Sequence, residues 1–239
     1  VQPRIVCVTS DHYLPAVKPF AWLLNKYWKP EPQVLIVGFT PPQFNLPSNF
    51  SFYSVGPFEN YPWERWSDAL IHAIHHAIPE DRFIIMLEDY WITRPVDTRN
   101  VEILYNYMGS HPKVLKVDLC GDRLYAGGAD TNYGSVEHID LVKSKIGSPY
   151  HMSLMPGIWR RQNLLRVLIP GESPHQLEMT GTTRLSAIPE LEVFGTRQWP
   201  LKITLGLRAR DSSKINLDDL NGEDISQMKA LGFFKPWGQ

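Results

Sequence analysis

Apolar residues along the chain first fall into short continuous runs separated by longer stretches with helical spacing. Runs at 5–9, 34–39, 50–55, 83–87 and 114–119 read as strands. Residues 20–28, 68–78 and 98–108 carry the helical pattern, with Leu70, Ile71, Ile74 and Ile78 on one face of the second and Val101, Leu104, Tyr105 and Met108 on one face of the third. Ser67 and Asp97 precede the latter two as cap candidates, and Pro79 stops the second. Strands of unbroken apolar character alternating with helices predict a largely parallel sheet covered on both faces.

Past residue 120 the pattern changes. Residues 121–133 read as a loop containing Gly and Asp, 136–142 as a strand with 151–155 as its partner, and 158–168 as an amphipathic helix after the Pro156-Gly157 break. A turn at 170–174 leads into a polar helix near His175. Residues 201–207 read as a late strand and 224–231 as a short helix, followed by an aromatic tail, Phe233, Phe234 and Trp237. No repeat or low-complexity linker interrupts the chain. One domain over 1–239 is expected, its halves 1–120 and 121–239 differing in pattern.

The run from Arg82 to Pro95 carries the most chemistry. Its apolar strand delivers Glu88 and Asp89 at the carboxyl end, where open α/β sheets bind ligands. Adjacent acids there coordinate a divalent cation, accept hydrogen bonds from sugar hydroxyls, or merely cap a loop. Composition narrows the partners little: a net charge of -1 across 239 residues gives no general pull toward nucleic acid or membrane. Both cysteines, Cys7 and Cys120, lie in apolar runs, which predicts buried free thiols and a reducing interior. No apolar segment approaches the roughly 18 to 20 residues that span a bilayer. No signal-peptide pattern opens the sequence, so a cytoplasmic protein of a bacterial or virus-infected cell is expected.

Five segments in order, Thr9-Ser10-Asp11, Trp66-Ser67-Asp68, Leu87-Glu88-Asp89-Tyr90, 153–160 and 170–178, together resemble glycosyltransferases of the GT-A fold, particularly small bacterial and viral ones. The resemblance covers about residues 5–184 and implies a Rossmann-type α/β fold, a mixed but mainly parallel sheet flanked by helices. It implies a nucleotide diphosphate sugar as donor, UDP-linked, bound by the half 1–120 with the acceptor on 121–239, and with Thr9, Ser10, Asp11 and Tyr13 holding base and ribose. Asp68, Glu88, Asp89 and Arg184 complete the donor site, and Asp89 would carry a Mn or Mg ion. Such enzymes usually place two acids one residue apart, whereas Tyr90 stands in the second position here. That departure leaves open a metal-free site in which Arg160, Arg161, Arg184 or Arg197 neutralises the leaving group. Glu178 falls where the resembling enzymes place the base of an inverting transfer, with Glu172 as the alternative. Tyr90, His151, Trp159 and Arg160 are the acceptor-side residues.

The acceptor implied is a glycan. A hydroxymethylated pyrimidine in viral DNA is the alternative, because Arg197, Lys202, Arg208, Arg210 and Lys214 cluster near the end of the chain. A nucleotidyltransferase normally carries a Gly-rich phosphate loop near its N-terminus, and residues 9–15 contain no glycine. A silent nucleotide-sugar-binding module is the non-enzymatic reading. His72, His75 and His76 share a helix face, but without a second ligand cluster they read as a packed or solvated face rather than a zinc site. Trp63, Trp66, Trp91 and Trp159 are candidates for stacking on sugar or base rings.

Overall fold

Alternate residues of the central strands feed two separate apolar layers, which is why these runs are unbroken. In the computed structural model, which describes residues 2–207 and 215–234, the first half of the chain runs β1 (Ile5–Val8), α1 (Val17–Tyr27), β2 (Val34–Gly38), β3 (Phe50–Ser54), α2 (Trp66–His76), β4 (Arg82–Leu87), β5 (Tyr90–Ile92), α3 (Thr98–Ser110) and β6 (Val114–Asp118). The second half runs α4 (Asp122–Tyr125), β7 (Ala129–Val136), β8 (Ile139–Ser144), β9 (Gly157–Arg160), α5 (Arg161–Val167), α6 (Pro174–Ser186), β10 (Glu192–Thr196), β11 (Ile203–Leu205) and α7 (Gly222–Ala230).

Nine strands form one sheet in the order β3-β2-β1-β4-β9-β6-β10-β8-β7, and β5 pairs with β11 in a small second sheet. β1, β2, β3 and β4 are parallel, as are β6 and β10. β9 lies antiparallel between β4 and β6, so the second half of the chain inserts a strand into the middle of the first. Ile5, Cys7, Ile84 and Met86 face α1 and α3, while Val6, Val8, Phe83 and Ile85 face α2, α5 and α6. Both cysteines are free and buried.

The first 120 residues match the sequence reading except at β5, which that reading lacks, and at Ser67. That residue lies inside α2 rather than capping it: its hydroxyl accepts the Glu172 N–H (3.0 Å), and its own N–H donates to the Glu172 carbonyl. The second half needs more correction. The expected loop at 121–133 contains α4 and the start of β7, and residues 136–142 span the turn of the β7–β8 hairpin. That turn contains Glu137 at φ 50° and lacks the Asn-Gly signature that would have marked it. Residues 151–155 form no strand. The helix expected at 158–168 is a strand, β9, running straight into the helix α5. β10 went unread because five residues with a buried pattern carry no period that separates strand from helix.

Candidate active site at the rim of the sheet

β1 and β4 lie in register, Val8 beside Leu87, so the residues that follow each strand emerge at one level. A cleft of about 330 Å³ opens there. Val8, Thr9, Ser10, Leu87, Glu88 and Asp89 form its floor. Phe39, Phe58, Tyr61, Trp63 and Trp66 form one wall, and Tyr13, Tyr90, Pro174, Leu205 and Leu207 complete it. The wall is self-supporting: Phe39 meets Phe58 edge-on at 5.2 Å and Tyr61 at 6.2 Å between ring centroids. Phe58 and Trp63 each keep 44% of their surface exposed, leaving ring area for a planar ligand.

The main chain bearing the two acids is fixed from behind. Trp91 Nε1–H donates to the Glu88 carbonyl (3.1 Å), and the Gly206 N–H donates to the Asp89 carbonyl (2.6 Å). A side chain at Gly206 has no space, since its first carbon would lie 2.2 Å from the Trp91 indole. Glu88 is buried and Asp89 half-buried. Their charges reach the buried Cys7 beneath, whose thiol is pushed up by burial first and then by Glu88 and Asp89.

Tyr90 joins this pair to the second half of the chain. Burial raises its pKa, and the charges of Asp89, Glu178 and Asp122 raise it further, so the phenol stays a neutral hydrogen-bond donor. Glu178 sits one turn into α6, whose start is fixed by a capping box between Ser173 and Gln176. Its Oε1 accepts the Leu154 N–H (2.8 Å). Asp122, the first residue of α4, accepts the Ser153 hydroxyl (3.1 Å). The sequence reading missed Asp122. It follows the C-terminal end of β6 as Glu88 and Asp89 follow β4, and that parallel was the available signal.

The segment carrying Ser153 and Leu154 rests on a buried charge cluster that was also unread. Asp118 pairs with both Lys116 and Arg123. Lys116 Nζ donates to the Ser153 carbonyl (2.7 Å), and Arg123 donates to the Tyr150 carbonyl (2.9 Å) and the Ser144 hydroxyl (3.2 Å). Two glycines make room: a side chain at Gly157 would start 2.5 Å from Lys116 Cε, and one at Gly195 2.5 Å from Arg123 Cβ.

Several residues expected in the site lie elsewhere. His151 is buried against this cluster with Nδ1 2.7 Å from the Ser144 hydroxyl, and burial followed by the Arg123 charge lowers its pKa to about 4. Trp159 is wholly buried in β9 under the Lys116 ammonium, so it walls no acceptor. Arg160 pairs with Asp81 (2.8 Å) at the opposite end of β4 from Asp89. Glu172 and Arg184 form a two-pronged pair (2.7 and 2.6 Å) packed on α6, away from the cleft lining. Asp68 binds Arg65 and the Gly171 N–H, holding the loop before α6. Asp11 flanks the cleft rather than lining it, its carboxylate bound to the Thr40 N–H (2.9 Å) and hydroxyl (2.6 Å). Trp63 and Trp66 reach the cleft; Trp91 is core.

Arg161 donates to the Ile74 carbonyl and Arg197 to the Thr131 carbonyl, and neither lines the cleft. Among the described residues no lysine or arginine lines the cleft. Arg208, Arg210 and Lys214, with Lys235 and Trp237, lie outside the described residues. His72 and His76 stack at 4.3 Å, and His72 Nε2 lies 3.1 Å from the Tyr53 hydroxyl, a packed helix face. No group of three or more ligating side chains gathers among the described residues. A divalent ion shared with a phosphate ligand needs only one or two carboxylates from the protein, and Glu88 and Asp89 fit that requirement.

No protein-family model and no curated protein sequence matches the chain. Solved structures do. Residues 1–349 of TarS from S. aureus superpose with a TM-score of 0.50 at 12% identity over 84% of this chain and 59% of that one. A longer TarS structure gives 0.51 at 11% identity, over 84% of this chain and 36% of that one. The fold is of the GT-A type. CMP:2-keto-3-deoxy-manno-octonic acid synthetase complexed with CTP also aligns, at a TM-score of 0.44 and 14% identity over 97% of this chain and 98% of that one. The chain thus spans little more than half of the shorter TarS structure, and at these identities the likeness is one of architecture. Within the GT-A sheet the cleft occupies the carboxyl ends of the parallel strands, the general ligand position of such folds. No helix among the described residues is long and apolar enough to cross a membrane.

Proposed function

We propose that the chain is a glycosyltransferase that moves a sugar from a UDP-linked donor to an acceptor hydroxyl with inversion. One observation carries the reading: an acid pair, an aromatic wall and a third carboxylate, Glu178, converge around Tyr90 at the rim of a GT-A sheet. The base stacks on the wall formed by Phe58 and Trp63, and Thr9, Ser10 and Tyr13 take the ribose side. Asp89, with Glu88, would hold a Mg or Mn ion. When bound, that ion offsets the charge of the leaving group, a task for which the described cleft offers no lysine or arginine.

In the transfer, the acceptor oxygen attacks the anomeric carbon as the bond from that carbon to the diphosphate oxygen breaks. The diphosphate leaves with the electron pair, and the acceptor proton passes to Glu178. The Leu154 N–H fixes one oxygen of that carboxylate, which orients the other. Tyr90, kept neutral, donates toward the same space.

A thermal-shift panel of nucleotide sugars, with and without manganese, tests donor and ion together. The reading expects stabilisation by a UDP-sugar that manganese increases and that Asp89→Ala removes. Equal response of wild type and variant to every nucleotide sugar overturns it. Release of free UDP without acceptor distinguishes an enzyme from a silent binder. The DNA alternative expects transfer to a hydroxymethylated duplex that falls steeply with salt.

A further inference from the structure

We propose that Tyr125 and Trp199 form a saccharide subsite that seats the acceptor beside the catalytic cleft. The inference rests on the transferase reading for its role, and on separate residues for its existence. Tyr125 leaves 74% of its surface exposed, the largest exposure of any big hydrophobic side chain described. Its ring stands edge-on to Trp199, with centroids 6.2 Å apart and planes at 76°, so the two make an open corner. Gly121 sets the corner's depth: a side chain there would start 3.0 Å from Trp199 and 3.1 Å from Tyr125. Arg94 is exposed, with its guanidinium 5.6 Å from the Trp199 centroid, and brings hydrogen-bond donors to the corner's edge.

Position ties the corner to the chemistry. Tyr125 lies one helical turn after Asp122, which accepts the Ser153 hydroxyl (3.1 Å) beside the Leu154 N–H that holds Glu178 (2.8 Å). The electropositive C–H face of a pyranose matches the negative face of an aromatic ring, and its hydroxyls match a guanidinium. An exposed tyrosine against a half-buried tryptophan, with a cation at the margin and carboxylates nearby, fits a sugar better than a nucleic-acid backbone. The carboxylates of Asp122 and Glu178 would repel phosphates.

The test uses the full chain on an immobilised panel of mono- and oligosaccharides, with UDP affinity measured in parallel by calorimetry. Wild type is expected to capture a saccharide. Tyr125→Ala and Trp199→Ala are expected to weaken capture about tenfold, while Trp199→Phe retains most of it and all three bind UDP as wild type does. Tyr125 is exposed, so its variant keeps the melting temperature and answers any objection about folding. Saccharide capture that neither alanine variant reduces overturns the subsite. So does absence of saccharide capture by a protein that binds UDP, an outcome that leaves the donor site standing. Saccharide capture that depends on Tyr125 in a protein blind to UDP keeps the subsite and removes the transferase reading. Preferential capture of a hydroxymethylated duplex, undiminished in Tyr125→Ala, also overturns it.

Discussion

Asp89 and Glu178 differ in how they are held, and that difference separates their expected phenotypes. Asp89 lines the cleft, and on the proposed transferase reading Asp89→Ala should lower kcat/KM by about 100-fold or more through lost stabilisation of the leaving group. The melting temperature should stay near that of wild type, because the Gly206 N–H and the Trp91 indole N–H still hold the carbonyls of residues 89 and 88. Glu178→Gln keeps the shape and a carbonyl oxygen for the Leu154 N–H but removes the base. Turnover should fall by about 100- to 10,000-fold with UDP affinity unchanged, as steady-state kinetics and calorimetry would establish. His151 gives a residue-scale pH effect. Its folded pKa, about 4, lies below the ordinary 6.5, so folding favours the neutral ring. The sign follows: stability is complete above about pH 6.5 and declines as pH falls toward 4, because the unfolded chain binds the proton first. Melting curves of His151→Asn should show a shallower loss over that window than wild type, and a parallel pair of curves counts against the assignment.

The elements of the first half were legible because each apolar run had one reading. Residues 83–87 are flanked by Arg82 and Glu88 and are too short for a helix, so strand and acid pair followed together. The stretch from Gly157 to Leu168 was not legible, because Ile158 and Trp159 are both buried in β9, one on each face, and the following helix begins with no intervening turn residue. Assigning that stretch to one helix put Trp159 and Arg160 on an acceptor surface. Trp159→Ala should instead cost about 3–5 kcal/mol of stability, read by denaturant unfolding, with no selective loss of acceptor binding in the folded fraction. Glu178 was singled out from its place in an ordered set of segments, but the Leu154 N–H that it accepts and the Asp122–Ser153 bond beside it were not. They arrive through a loop whose course is fixed by side chains, not by any periodic pattern. The same limit hid Gly206: a glycine in a short strand gives no sign that an indole ring fills the space of its missing side chain. Gly206→Ala should push β11 off Trp91 at a cost of about 1–3 kcal/mol and lower donor affinity along with stability.

At the scale of the whole molecule, the site depends on joining two halves of the chain across the middle of one sheet. On the proposed reading the donor side comes from β1 and β4, whose ends are set by parallel pairing. The acceptor side reaches the same cleft only because β9 inserts between β4 and β6 and because the segment before it is tied down. Lys116, Asp118 and Arg123 do the tying, with every charge buried and two of them bonded to main-chain carbonyls of that segment. A buried cluster of this kind contributes little net stability against apolar replacements, but removing Asp118 would leave both cations unpaired at about 3–5 kcal/mol. Arg123→Met keeps the Asp118–Lys116 pair but loses the bonds to Asp118, the Ser144 hydroxyl and the Tyr150 carbonyl, so it should destabilise the fold by about 1–3 kcal/mol. In the protein that remains folded, the Tyr150 carbonyl is released and the segment to Leu154 loses an anchor, so the Glu178 carboxylate is no longer held in one orientation. The expected kinetic signature is a fall in kcat with little change in donor KM, because the donor side is built from other strands. Equal losses in both constants would mean that the cluster supports the sheet as a whole rather than the placement of the base. The double replacement Asp118→Leu with Arg123→Met would leave the buried Lys116 ammonium without a counterion, so it should be less stable than Arg123→Met alone, as denaturant unfolding would show.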